Sequence, residues 1–368
     1  MKNRDRLIPI ACQFAGGAKI TDIQPLGNGN INDTFLVSLD SLPPSPRRFV
    51  LQRLNTQVFQ QPHLVMQNVR YLTDHVHHRL RQTSRQRRWE VPQVIPTASG
   101  EDCWRDSDGS YWRSLEFIEG SESFDSLADI SQAQEVGHAL GTFHSLISDL
   151  SPGNFADTLE GFHITPRYLQ QYREVLAKTE TADSPEVNYC LAFVHQRQHL
   201  ADVLEAAKEQ GKLPLRLMHG DPKVNNVLFD SATGKAISII DLDTVKPGLV
   251  HYDIGDCLRS GCNPAGEETQ QWETVCFEPD LCCGILTGYL EATRAFFTEN
   301  DYNYLYDAIR LIAFELGLRF LTDYLAGNVY FKVKHPEHNL ARSLVQFKLT
   351  ESIESQETSI RQLIRDLQ

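Results

Sequence analysis

The spacing of the apolar residues changes once along the chain, and that change limits the folds open to it. Residues 19–54 contain three short runs, KITDIQPL, TFLVSL and RFVLQRL, separated by a Gly/Asn-rich turn and by the Pro-rich break SLPPSPR. Alternation with period two puts successive side chains on opposite faces of a sheet, so these runs predict an antiparallel meander. Pro62 then opens a helical pattern with Leu64, Val65, Val69, Leu72 and Val76 on one face. Two further strands, near residues 91–96 and at YWRSLEFIEG, would complete a five-stranded sheet. Past Gly120 the period becomes helical, and SQAQEVGHALGTFHSLISDL carries Val136, Leu140, Phe143, His144 and Ile147 on one stripe. The remainder reads as helix except around residues 227–242. The expectation is an α+β chain in two lobes: a small antiparallel β-sheet lobe over residues 1–119, and a larger, mainly helical lobe over residues 120–368.

A chain of 368 residues, 41% hydrophobic, can bury a core in each lobe. Its formal charge of −13 argues against nucleic-acid or anionic-membrane partners, which need a net cationic face. The arginines at 79, 81, 85, 87 and 88 read as a solvated helix end rather than a nucleic-acid patch. The first twenty residues lack a secretory apolar block, so a cytoplasmic location with small-molecule partners is expected. Eight cysteines without a CxxC pair read as reduced thiols, mostly in the core.

The chemistry concentrates in LMHGDPKVNNVLFD, residues 217–230, and in KAISIIDLDTVKPG after it. A loop carries Asp221 and Asn226, and a strand, turn and strand then deliver Asp241 and Asp243. Oxygen-only donors of this kind suit Mg²⁺, which takes one or two carboxylates and completes its octahedron from water and phosphates. Taken alone, Asp221 and Asn226 could equally tie a turn together through side-chain to backbone bonds.

The combination resembles the catalytic loop and metal-binding strand of the kinase-like phosphotransferases, and the HGD form resembles the aminoglycoside phosphotransferase and choline kinase group. The resemblance implies a two-lobed protein-kinase-like fold that uses ATP and Mg²⁺. It makes Asp221 the base that accepts the proton of the attacking hydroxyl, and Asn226 and Asp241 the metal ligands. In HYDIGDCLRSG, Asp253 would support the catalytic-loop backbone, with Asp256 and Arg259 unassigned. Asp243 would either join the metal shell or serve in hydrogen bonding behind it, and His144 would be a packed histidine. In the sheet lobe, Gly27, Asn28 and Gly29 of LGNGNINDTFLV would cover the phosphates, since glycine lets backbone amides approach them closely. Leu51 and Arg53 share a strand face, which makes Arg53 the candidate cation on the α/β-phosphates and Gln52 the alternative register. The following helix offers Gln67 and Asn68 where kinases usually carry a Glu. Backbone groups from Glu116 to Ile118 would meet the adenine edge.

The stretches GNGNINDTFLV, FVLQRLNTQVF, HGDPKVNNVLFD, IIDLDTVKPG, YDIGDCLRS and RFLTDYLAGNVYFKVKHPEHNLARSLVQFKL together resemble the N-acetylhexosamine 1-kinases, over residues from about 20 to 350. That implies transfer to the anomeric hydroxyl of an N-acetylhexosamine, with Asn32, Asp221, Arg319, Asp323 and Tyr324 as candidate substrate contacts. The polar residues of LIAFELGLRFLTDYLAG could instead simply cap and pair their own helix. Two alternatives stay open: a kinase of the same fold acting on an amino alcohol, homoserine or an aminoglycoside, and a nucleotide-binding pseudokinase that regulates rather than catalyses.

Overall fold

Alternation along the first runs does produce a meander. In the computed structural model, which describes residues 2–27, 31–40, 48–82, 87–180 and 183–368, β1 (Lys19–Pro25), β2 (Asp33–Asp40) and β3 (Arg48–Leu54) pair antiparallel in sequence order. β4 (Val94–Ile95), β5 (Trp104–Arg105) and β6 (Tyr111–Glu116) extend them into a six-stranded sheet of order β1-β2-β3-β6-β4, with β5 also on β6. The strand beyond the five expected, β5, is two residues long, too short to show a period.

The chain divides into two compact units. The first holds residues 1–121 together with Gly153–Glu160 and Ile240–Lys246. One sheet face is packed by α1 (Lys2–Cys12) and the residues after it, with Leu7, Ile10, Ala11 and Phe14 against Ile23, Val37, Phe49, Leu51 and Trp112. α2 (Pro62–Gln82) buries Val65, Val69, Leu72 and Val76 as its period predicts, with Met66 buried where Leu64 is only partly so. Asn68 on α2 is also buried. Its amide donates to the carbonyls of Ala156 (2.9 Å) and Val245 (3.2 Å) and accepts the Ala156 N–H (3.0 Å), so one carboxamide ties both later segments to the helix.

The second unit holds Glu122–Pro152, Gly161–Ile239 and Pro247–Gln368. Its helices are α3 (Ile130–Ile147), α4 (Thr165–Leu176), α5 (Pro185–Arg197), α6 (Val203–Glu209), α7 (Val250–Gly261), α8 (Pro279–Thr293), α9 (Glu299–Asn303), α10 (Leu305–Leu325), α11 (His338–Ser355) and α12 (Glu357–Leu367). α10 runs through the core, where Phe314 and Leu318 meet Phe193 of α5 and Phe347 of α11. α3 and α8 cross at backbone contact: a Cβ on Gly137 would lie 1.9 Å from the Ile285 carbonyl oxygen, and one on Gly288 would lie 2.0 Å from that of Gln134. Strands Val227–Asp230 and Ala236–Ile239 form the expected antiparallel hairpin. All eight cysteines are free thiols, and no helix among the described residues is long and apolar enough to cross a membrane.

Candidate active site

Residues 219–226 form a loop whose polar groups are held from two sides. Asp253, in the first turn of α7, is fully buried and accepts the His219 N–H on Oδ2 (2.6 Å) and the Gly220 N–H on Oδ1 (2.7 Å). His144 of α3 reaches the same Oδ2 through Nε2 (2.8 Å), and its Nδ1 lies 2.9 Å from the Tyr289 hydroxyl. Burial would raise the Asp253 carboxyl, but His144, His219 and the Gly220 N–H together hold it below the ordinary aspartate value. These contacts match the roles the resemblance implies for Asp253 and His144.

The second brace was not visible in the sequence. His163 Nε2 meets the Gly220 carbonyl at 3.0 Å and Nδ1 meets Glu315 Oε1 at 2.9 Å, while Thr165 donates its hydroxyl to Glu315 Oε2 (2.6 Å). Both partners of the imidazole are acceptors, a pair that only the protonated ring can serve from both nitrogens. Burial lowers its proton affinity, yet Glu315 more than offsets this and the net shift is upward. Gly220 itself sits at φ +89°, a conformation natural to glycine, and His163 holds φ +62°.

Within the loop, the Asn226 amide donates to the Asp221 carbonyl (2.7 Å), so Oδ1 is the atom of this side chain with lone pairs to offer, a hard oxygen donor. The Asp221 N–H donates to His219 Nδ1 (3.2 Å), so His219 also braces the loop. The Asp221 carboxylate is 29% exposed and lies 3.0 Å from Lys223 Nζ. Burial would raise its proton affinity, but Lys223, His219 and Arg259 outweigh it, and Asp221 stays below the usual carboxylate range.

Nearby carboxylates are also paired. Arg259, almost fully buried, contacts Asp256 (2.8 Å) and Glu267 (3.1 Å). Arg319 lies 3.9 Å from Glu315 and over the rings of Tyr168, Phe162 and Phe331 at 4.9, 5.2 and 5.6 Å. Asp256 acts electrostatically on both His163 and Arg319, which places these groups in one neighbourhood. Asp256 Oδ2 is buried and has no hydrogen-bond partner among the described residues. The other two acceptor candidates of this unit are engaged elsewhere. Asp323 accepts the N–H groups of Val329, Tyr330 and Phe331 and the Asn339 amide, so it anchors a loop, and Tyr324 packs against the helical core.

In the first unit, Gly27 adopts φ +69° with open space where a Cβ would sit, so its conformation and not its packing requires glycine. Asn28 and Gly29 lie outside the described residues. Arg53 pairs with Asp33, its cross-strand neighbour, both side chains being 43% exposed. The buried cation is on the other sheet face, in the register of Gln52: Arg113 of β6 donates from Nε to Gln52 Oε1 (2.9 Å) and forms an ion pair with Asp243, each about 1–2% exposed. Asn32 donates to Asp243 Oδ2 (2.7 Å) and accepts the Asn55 N–H (3.0 Å), so it is occupied within this unit. Gln67 is exposed and Asn68 makes the segment contacts described above, so neither pairs with Arg53. The Glu116 N–H donates to Gln93 (2.9 Å) and the Ile118 carbonyl accepts from Ser121 (2.7 Å). The Ile118 N–H has no partner among the described residues.

Asp241 is exposed and left-handed, at φ +67° and ψ 57°. Asp tolerates this better than most residues, at a cost of roughly 1–2 kcal/mol. No group of three or more His, Cys, Asp or Glu side chains placed to hold a metal occurs among the described residues. An ion that draws most ligands from water and phosphate needs fewer, and in the first unit the exposed carboxylate of Asp241 is a hard oxygen donor of the kind it takes.

The fold recurs in solved structures. A microcompartment-associated aminopropanol kinase is 18% identical with a TM-score of 0.62, the match covering 96% of this chain and 98% of that one. An aminoglycoside phosphotransferase from Alicyclobacillus acidocaldarius is 15% identical with a TM-score of 0.60, covering 97% and 95%. A choline kinase from Cryptosporidium parvum is 16% identical with a TM-score of 0.52, covering 99% and 96%. The sequence itself matches the model of the APH phosphotransferase enzyme family over residues 22–272, a span that includes the Gly27 turn, the braced Asp221 loop and the Asp253 that holds it, and the chain belongs to that family.

Proposed function

We propose that this phosphotransferase moves the γ-phosphoryl group of ATP directly to the anomeric hydroxyl of an N-acetylhexosamine, giving a sugar 1-phosphate. Nucleotide would bind the sheet lobe, residues 1–119, and the acceptor would bind within residues 120–368. The carrying observation is the loop at Asp221, an ionised, partly exposed carboxylate on a backbone fixed by Asp253 and His163. Asp221 accepts the hydroxyl proton as the bond to phosphorus forms. An anomeric hydroxyl is more acidic than an ordinary alcohol, so a carboxylate of low proton affinity suffices as base. The Gly27 turn would offer backbone amides to phosphate oxygens, and the Ile118 N–H, without a partner among the described residues, would meet the adenine edge. Asn226 and Asp241 would hold Mg²⁺, which when bound with nucleotide neutralises charge on the phosphates.

Support for a neutral acceptor comes from charge pairing. Asp221 has Lys223, Asp256 and Glu267 have Arg259, and Glu315 has His163 and Arg319. A permanently cationic acceptor is favoured by an unbalanced carboxylate or by an aromatic cage, whereas a polyhydroxylated neutral one is served by paired, hydrogen-bonding groups. A second reading, a cationic amino-alcohol or aminoglycoside acceptor, is favoured by the unpartnered Asp256 Oδ2. A coupled ADP-release assay over N-acetylglucosamine, N-acetylgalactosamine, glucose, choline, ethanolamine and an aminoglycoside, with phosphorus NMR of the product, separates the two. Turnover on an N-acetylhexosamine with an anomeric phosphate product is expected. Turnover confined to cationic acceptors supports the second reading, and nucleotide binding without turnover on any acceptor points to the regulatory module.

A further inference from the structure

The phosphotransfer reading leaves a buried ion pair in the first unit without a role. Asp243 lies two residues after Asp241, on the short turn Leu242–Thr244. Its Oδ2 accepts from Asn32, the residue before β2, and its Oδ1 faces the Arg113 guanidinium from β6. Arg113 is in turn oriented by Gln52 of β3 and reaches Met66 Sδ of α2 at 3.8 Å. Asn32, two strands, α2 and the Asp241 segment therefore converge on one guanidinium and one carboxylate.

Burying such a pair brings little net stability, because desolvation of both charges offsets their attraction. What a guanidinium with fixed donors does supply is geometry, since its planar fork holds two partners at set directions. We propose that Arg113 is a positioning residue for the metal site: through Asp243 it fixes the Asp241 segment relative to β3, β6 and Asn32, so that a metal held by Asp241 keeps a set position on the sheet. The inference rests on the assignment of Asp241 as a metal ligand. Asp243, its Oδ2 accepting from Asn32 and its Oδ1 in the ion pair with Arg113 but without a hydrogen bond, acts from behind Asp241 and does not itself touch the ion.

The test measures Mn²⁺ binding by EPR in the presence of a non-hydrolysable ATP analogue, alongside steady-state kinetics and thermal midpoints. Arg113→Lys keeps a cation for Asp243 but cannot also hold Gln52, and is expected to weaken Mn²⁺ about tenfold, the usual loss for a ligand-orienting partner, with acceptor KM unchanged. In Arg113→Met/Asp243→Leu the removal of both charges is expected to restore much of the thermal midpoint lost in either single variant, while Mn²⁺ affinity stays low. A stable double variant, or Arg113→Lys, with wild-type Mn²⁺ affinity overturns the proposal and leaves the pair purely structural. Asp241→Ala separates the two layers. If Asp241→Ala abolishes Mn²⁺ binding while the Arg113 variants do not alter it, only the positioning role fails; if Asp241→Ala leaves it unchanged, the metal assignment fails and takes the positioning role with it.

Discussion

Asp253→Asn changes one oxygen to an amide nitrogen at a site with no exposed surface, and its cost follows from the donors that converge there. The carboxylate accepts two backbone N–H groups and the His144 imidazole on its two oxygens. Asparagine keeps one acceptor oxygen and presents an NH₂ to the other donors, so at least one buried N–H loses its partner and the histidine loses its carboxylate acceptor. A hydrogen bond to a charged group contributes about 1.5–3 kcal/mol, and breaking a buried pair from one side costs about 3–5 kcal/mol. These terms overlap, so roughly 3–5 kcal/mol is the expected loss. For a unit of this size that lowers the melting temperature by roughly 6–20 °C. Because Asp221 follows directly on the two amides released, kcat should also fall by about 10²-fold, the effect of misplacing a reacting group by on the order of 1 Å. KM for ATP should hold, since the Asp253 partners His144, His219 and Gly220 all belong to the second unit. Differential scanning fluorimetry and steady-state kinetics at a temperature below the variant's transition check this. A variant that melts within about 3 °C of the parent, well under the shift worked out above, and retains its kcat would refute the claim that Asp253 fixes the loop.

Two further outcomes follow from the same geometry. Lys223 and its neighbours hold Asp221 below the ordinary aspartate value of about 3.9, and the ionised form is the base, so the acid limb of the kcat/KM profile should lie below about pH 4. Lys223→Met should move that limb to higher pH, and an unmoved limb in the pH–rate profile would remove Asp221 as the titrating base. Gly137→Ala drives a Cβ against the Ile285 carbonyl, a backbone atom that cannot rotate aside, so despite a better helix former the variant should lose on the order of 2 kcal/mol and melt several degrees lower by calorimetry. A melting temperature equal to the parent's would mean that the two helices separate at little cost.

Period-two and helical spacing revealed β1 to β3, α2 and α3 because each buries one face against a continuous core. Residues 104–105 gave no such signal, being a strand of two residues. The register of β3 was ambiguous for a specific reason: alternation distinguishes two faces but does not say which is packed. The helix at residues 2–12 decides it, covering the face of Leu51 and leaving Gln52 to meet Arg113. His163 had no local pattern to reveal it, since its partners Gly220 and Glu315 are 57 and 152 residues away. Asp323 looked like a binding residue because a helix pattern shows only that a position is polar, and its partners are backbone amides of a loop with no characteristic side chain. The HGD loop was legible because its residue types and spacing are set by local geometry.

The assignment of Gly153–Glu160 and Ile240–Lys246 to the first unit also bears on how this protein can be divided. A gene fragment ending at residue 121 would code for the whole sheet and yet not for a complete unit. Such a fragment would carry Arg113 in an apolar interior with no counter-charge and Asn68 with neither carbonyl to receive its amide. Neither half can therefore be exchanged, duplicated or expressed as a contiguous cassette. Recombination that succeeds between relatives of this fold must carry the Asp243 segment along with the sheet, or supply a matching one from the other parent.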